Sequence, residues 1–236
     1  MSKISVAMAV YNGEKYIVSQ IESILCQLND NDELIISYDK SKDKTLDIIK
    51  EYERKDKRIR VFINNTPGVF GNFNNAIKQT NGDIIFISDQ DDIWKHNKIK
   101  KIVSLINVNN FDFIIHNGVH IDTNDNIISE DFFKLYNIKR GVLRNFIKPR
   151  YSGCCMAFKK KYKKLILPIP TNVGAYDHWL GMIGEIYGKV YFLNEILIHH
   201  RIHGKNVTPT SRRKIPDILK YRTILLYKLL GLKRRT

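Results

Sequence analysis

The residues with the clearest chemistry stand together at Asp89-Gln90-Asp91-Asp92, directly after the unbroken apolar run Ile84-Ile85-Phe86-Ile87-Ser88. Carboxylates at i and i+2 on extended backbone project to the same side, so Asp89 and Asp91 can approach one ligand. Hard oxygen donors of this kind suit Mg²⁺ or Mn²⁺, which keeps several waters and completes its shell with substrate phosphates. The pair is therefore expected to hold a divalent cation on a diphosphate. A solvated loop in which Asp92 caps the next helix is the plainer reading of the same residues.

An acidic cluster meets a ligand only if its strand ends at the carboxyl edge of an open α/β sheet, where ligands gather. The first half of the chain has that pattern, short β-branched runs alternating with amphipathic segments. Strands are predicted at residues 4–10, 34–37, 59–63 and 84–88, with helices at 15–27, 45–52 and 72–79 between them. The second half is less regular. It has predicted strands at 111–116, 127–128 and 154–158, a helix at 177–187, and apolar runs at 190–193 and 196–198. The 236 residues, 43% hydrophobic and 27% charged, suit one α/β domain with a mainly parallel central sheet flanked by helices. No signal-peptide pattern and no apolar run of about 18 residues occurs, so a cytoplasmic location is expected. Cys26, Cys154 and Cys155 form no CxxC motif and are expected to be reduced and structural.

Two families share features with these residues. Asp89-Gln90-Asp91-Asp92-Ile93 loosely fits the nucleophile motif of haloacid-dehalogenase-type phosphatases, but that motif closes the first strand of its fold, and here about four strands are predicted up to that point. The stronger resemblance is to family 2 glycosyltransferases, particularly bacterial rhamnosyltransferase-like members of capsular and O-antigen polysaccharide pathways. It is carried by Ile4-Ser5-Val6-Ala7-Met8-Ala9-Val10-Tyr11-Asn12-Gly13, Gly68-Val69-Phe70-Gly71-Asn72-Phe73, and Ser88-Asp89-Gln90-Asp91-Asp92-Ile93-Trp94. The resemblance implies a GT-A fold, with a nucleotide-sugar half over residues 1–100, an acceptor half over 101–206 and an appended segment over 207–236. It implies that Val10, Tyr11, Asn12, Asp39, Asn72, Asp89 and Gln90 bind the nucleotide sugar and that Asp91 and Asp89 hold the cation. Where the family commonly has Asp-Asp-Gly-Ser, this chain has Tyr38-Asp39-Lys40-Ser41, which leaves base preference open and offers Lys40 to a phosphate.

An inverting transfer needs a base for the acceptor hydroxyl. Ala175-Tyr176-Asp177-His178-Trp179 resembles the family's acceptor-side helix start, which makes Asp177 the candidate base and places His178 beside acceptor or diphosphate; a plain helix cap is the alternative for Asp177. Gly153-Cys154-Cys155-Met156 resembles a pocket-lining strand in which Gly153 lets substrate approach. His199-His200-Arg201-Ile202-His203-Gly204-Lys205-Asn206 resembles a loop that closes over the diphosphate, with Arg201 and Lys205 as cations and His203 as a third metal ligand.

Of the net charge of +15, roughly half comes from residues 212–236, which carry nine Lys or Arg and one Asp. Ile218, Tyr221, Leu225, Leu229 and Leu232 recur at helical spacing, so a cationic amphipathic helix is predicted there. It is expected to lie on an anionic inner membrane face, as suits a lipid-linked acceptor, or against the core or a second protomer. No nucleic-acid-binding module is evident. Three functional readings follow: an inverting glycosyltransferase with a nucleotide-sugar donor and a glycan or lipid-linked acceptor, a phosphatase with Asp89 as nucleophile, and a non-enzymatic binder of polyanions or membranes.

Overall fold

Ile4, Val6, Met8 and Val10 face one layer of helices and Ala7 faces another, so the first strand is buried on both sides. This is the environment its continuous apolar sequence calls for. The computed structural model describes residues 2–204 and 214–233. The chain runs β1 (Ile4–Val10), α1 (Ile17–Leu25), β2 (Glu33–Tyr38), α2 (Thr45–Lys55), β3 (Ile59–Ile63), α3 (Val69–Gln79), β4 (Ile84–Ser88), β5 (Ile93–Trp94) and α4 (Lys98–Val108). It continues through β6 (Phe113–Ile121), α5 (Phe132–Leu135), α6 (Val142–Ile147), β7 (Met156–Lys159), α7 (Lys163–Ile166), α8 (Tyr176–Tyr187), β8 (Val190–Arg201) and α9 (Ile215–Lys233).

The eight strands form one sheet in the order β3-β2-β1-β4-β7-β6-β8-β5. The β1 pairs with β2 and β4 and the β2–β3 pair are parallel, as expected of βα units. The second half is mixed. Strand β7 runs against both β4 and β6 and joins the halves, β6 and β8 are parallel, and β5 runs against β8. Helices α1, α2 and α4 cover one face, while α3, α8 and α9 cover the other.

Three local expectations change. The two apolar runs at 190–193 and 196–198 are one strand, β8, whose pairing with β6 absorbs the interruption as register shifts around Asn117. Gly153–Cys155 is a 3-10 turn, and strand β7 begins only at Met156. The predicted strand at 127–128 is a single bridge, Ile127 to Ile121.

Because β1 has β2 on one side and β4 on the other, the strand order reverses between them. The crevice above that reversal lies over Val10 and Ser88, with the acidic cluster immediately beyond Ser88. Glycine at 71 keeps the segment before α3 folded against that helix: a Cβ there would sit 1.8 Å from the Thr66 carbonyl oxygen. Gly71→Ala is expected to cost about 1–3 kcal/mol in urea unfolding through overpacking. Gly231→Ala, where nothing lies within 4 Å, is the control expected to leave stability unchanged or slightly raised.

Candidate active site

A cleft of about 1720 Å³ opens at this crevice. Single small-ligand sites are typically of a few hundred to about 1,000 Å³, so this one has room for two reactants. Its walls include Val10, Tyr11 and Asn12 from the end of β1, Asp39 and Lys40 from the end of β2, Asn72 of α3, and Asp89, Gln90 and Asp91 after β4. Gly153, Asp177 and His203 close the opposite side. Twelve of the fifteen residues singled out for the site thus share one cavity.

Several of them are already engaged in holding the walls. Asn12 adopts a left-handed φ of 49°, which asparagine tolerates, and its side-chain oxygen accepts from Lys42 N at 2.9 Å. Gln90 grips the backbone of Tyr11 twice, accepting from its N–H at 2.6 Å and donating to its carbonyl at 2.7 Å. The Tyr11 ring is left about half exposed at the mouth. Asp39 accepts from Gly68 N at 2.8 Å and from the Asn64 amide at 2.5 Å, which fixes its carboxylate at the cleft wall. Asn72 lies within α3 rather than capping it. Its amide donates to the Val10 carbonyl at 3.0 Å, and its buried oxygen has no donor among the described residues.

The acidic loop divides between cleft and core. Asp91 turns to the cleft and its Oδ2 lies 2.8 Å from His203 Nε2, with the His203 ring stacked on Tyr16 at 5.2 Å. Asp89 is half-buried at the cleft floor, and burial together with repulsion from Asp92, Asp91 and Asp177 pushes its carboxyl well above the usual carboxylate range. A divalent cation is the charge that would relieve this crowding. Carboxylates with an imidazole match the donor chemistry of Mn²⁺ or Mg²⁺ with phosphate oxygens. Of the three expected ligands the structure brings Asp91 and His203 together, while the Asp89 carboxylate lies with Asp92 and the Cys154 thiol.

Asp92 is not the cap of α4, whose N-cap is Asn97. It is fully buried and accepts from the backbone N of Arg201 at 3.1 Å. Arg201, expected at the diphosphate, does not line the cleft. Its guanidinium is buried, donates to the carbonyls of Asp91 and Asp122 at 3.0 Å each, pairs with Asp125 and lies over the Tyr16 ring at 4.6 Å. It braces the loop from behind, because the strand that carries it runs under the acidic segment.

Lys98 went unrecognised in the sequence, where it reads as an exposed cation among several lysines. It is fully buried, 3.8 Å from the centre of the Trp94 ring, and donates to the Cys154 carbonyl at 2.9 Å. Desolvation lowers its pKa to about 8, opposed by the nearby acidic groups Cys155, Cys154, Asp92 and Asp89. The carboxylates of Asp89 and Asp92 and the Cys154 thiol lie within 4.8 Å of one another. Hydrogen bonding with Cys155 and burial push the thiol well above its ordinary value, and the Lys98 ammonium nearby partly offsets the crowding of these buried acids.

On the acceptor side, Asp177 sits in the first turn of α8, one residue beyond its start, and accepts from His178 N at 2.7 Å. Ala175, not Asp177, is the N-cap. Gly153 makes room for a protein group: a Cβ would lie 2.0 Å from the hydroxyl of Tyr176, which stacks on Phe73 at 4.1 Å. His178 points away from the cleft into the core, with Nε2 3.0 Å from the Asn145 carbonyl. Adjacent residues on an α-helix point in different directions, and here Asp177 takes the cleft side and His178 the core side. Lys205 lies outside the described residues.

The family model described as glycosyl transferase family 2 matches residues 5–166. The chain belongs to glycosyltransferase family 2. The glucosyltransferase WfaP of Escherichia coli is 27% identical over 234 residues, covering 99% of this glycosyltransferase and 88% of its own length. Among solved structures, residues 1–349 of Staphylococcus aureus TarS in complex with UDP-GlcNAc match with a TM-score of 0.76 at 19% identity. That match covers 97% of this chain and 66% of the TarS fragment. The mannosyltransferase PcManGT of Pyrobaculum calidifontis, with GDP-Man and Mn²⁺, matches with a TM-score of 0.67 at 18% identity, covering 86% and 58%. The fold is GT-A, as the resemblance implied. This glycosyltransferase spans about two thirds of the length of several of its curated relatives.

Removing the ammonium of Lys98 would leave buried carboxylates uncompensated. Lys98→Met is expected to destabilise the fold by about 3 kcal/mol in urea melts. The imidazoles of His116, His120 and His200 are all held below the ordinary value near 6.5, chiefly by burial, with His120 lowered to about 4. They stay neutral in the fold and protonate in the unfolded chain. Their contribution to stability is therefore lost as pH drops from about 6.5 towards 4, while Asp89 and Asp92, whose carboxyls are raised, take up protons in the fold and oppose it. The change in Tm from pH 7.5 to pH 5 is expected to be more favourable in His120→Gln than in wild type.

Proposed function

We propose that this glycosyltransferase moves a sugar from a uridine-diphosphate sugar to a hydroxyl of a lipid-linked glycan in surface polysaccharide synthesis, with inversion at the transferred carbon. The observation that carries the reading is the meeting of Asp91 and His203 across one cleft from Asp177, at the strand-order reversal. Tyr11 and Asp39 are assigned to the nucleoside, Asn72 to the donor through its unpaired oxygen, and Lys40 to a phosphate. Asp89, Asp91 and His203 would hold Mn²⁺ or Mg²⁺, whose charge neutralises the departing diphosphate when bound. The acceptor enters beside Tyr176 and Gly153, and Asp177 takes the proton of its hydroxyl as that oxygen attacks the sugar. Arg201 and Gln90 hold the loop and the Tyr11 turn in place, so that the two carboxylates meet the donor without rearrangement.

Uridine is the base to test first. The name of WfaP gives UDP-glucose as donor and GlcNAc-diphosphoundecaprenol as acceptor, and the TarS structure contains UDP-GlcNAc. These names favour a hexose over rhamnose, and a polyprenyl-linked acceptor would be met at the inner membrane face. The phosphatase reading is displaced by family membership.

Wild-type protein is expected to gain thermal stability with UDP in the presence of Mn²⁺, and Asp91→Ala to lose that gain. Asp177→Asn should keep the UDP–Mn²⁺ shift while sugar transfer falls by about 10²–10⁴-fold. Metal-dependent donor turnover that survives in Asp91→Ala would sink the assignment.

A further inference from the structure

Helix α9 is apolar on two sides, unlike the single-faced amphipathic helix its spacing predicted. One side carries Leu225 and Leu229, buried against the core layer that includes α8, with Tyr187 donating to the Leu229 carbonyl at 2.8 Å. The other side carries Ile215, Leu219, Leu226 and Leu230, spaced four, seven and four residues apart and all exposed, the first two at 73% and 62%. A helix that only capped the core would have no use for this second stripe.

The stripe does not stand alone. Arg222, on the flank between Leu219 and Leu226, reaches the Ile147 carbonyl of α6 at 3.3 Å. Helix α6 in turn exposes Leu143 at 72% and Ile147 at 62%. The two helices therefore present neighbouring apolar side chains to solvent.

The charge around this patch is predominantly positive. Residues 139–150 contain five Lys or Arg and no acid, of which Lys139, Arg140 and Lys148 are exposed. On α9 and just before it, Lys214, Lys220 and Lys228 are exposed beside a single acid, Asp217. A second copy docked through this face would set one positive rim against another, since a two-fold contact brings the same patch to itself. An anionic bilayer offers both things the patch lacks, an apolar layer and negative charge above it.

We propose that α6 and α9 together form a membrane-docking face for anionic lipid. It rests on the lipid-linked acceptor reading only for its purpose. Helix α6 abuts the acceptor wall, where the Asn145 carbonyl meets His178, the neighbour of Asp177. Docking there brings the bilayer surface close to the entry for a lipid-linked acceptor.

The test is co-sedimentation of the full chain with vesicles of phosphatidylglycerol and phosphatidylcholine in equal parts, and with phosphatidylcholine alone. Binding is expected to the anionic vesicles only, to weaken as salt rises, and to fall about tenfold or more in Leu143→Ser/Leu219→Ser. The UDP–Mn²⁺ thermal shift of that variant should equal wild type, which excludes misfolding as the cause. Absence of binding to anionic vesicles, or binding undiminished in the variant, overturns the proposal. So does concentration-dependent dimerisation in sedimentation velocity that the same substitutions abolish. Failure of the donor-site reading would show separately, as a wild-type protein with no UDP–Mn²⁺ shift.

Discussion

Three carboxylates within four residues repel one another, and here one of them, Asp92, is fully buried while Asp89 is half-buried. The fold tolerates this because Arg201 and Lys98 approach the loop from behind, one from the last long strand and one from the start of the helix that follows the loop. Their charges sit on the core side, and the cleft side is left negative. A loop braced in this way can present Asp89 and Asp91 to an approaching cation without collapsing into its own counter-charges. Much of the second half of the chain can be understood as what delivers Arg201 to that point.

The donor wall depends on a different device, side-chain amides and carboxylates that imitate backbone pairing. Gln90 pairs with both backbone groups of Tyr11 as a neighbouring strand would, Asn12 and Asp39 each bind a main-chain group of an adjacent loop, and Asn72 binds the last carbonyl of β1. Loops at the carboxyl ends of strands have no sheet partner of their own. These contacts supply one, and the cleft keeps its shape before any ligand arrives. The same residues are therefore candidates for binding and parts of the frame, and for Gln90 the frame is what its amide serves.

Helix α9 shows how far a pattern of apolar spacings goes. The residues at 218, 221, 225, 229 and 232 do mark the side turned towards the core. The stripe at 215, 219, 226 and 230 occupies another side of the same helix, and no periodicity says which of two apolar sides the core will take. That was settled by where α8 lay, with Tyr187 and the α8 side chains receiving Leu229 and Leu225.

The sequence by itself determined the four parallel strands of the first half, the carboxylate pair at their edge and the Tyr11-Asn12 turn. Each is specified by contiguous residues: a β-branched run, two acids at i and i+2, an asparagine where the backbone turns left-handed. It could not assign Asp92, Arg201, His178 or Lys98, because their roles depend on distant partners. Lys98 looks like any surface lysine until Trp94, Cys154 and the acidic loop close around it. Arg201 looks like a phosphate ligand until Asp125 and two carbonyls surround its guanidinium. Burial converts a charge from ligand to brace, and burial is a property of packing between segments that the linear pattern does not bring together.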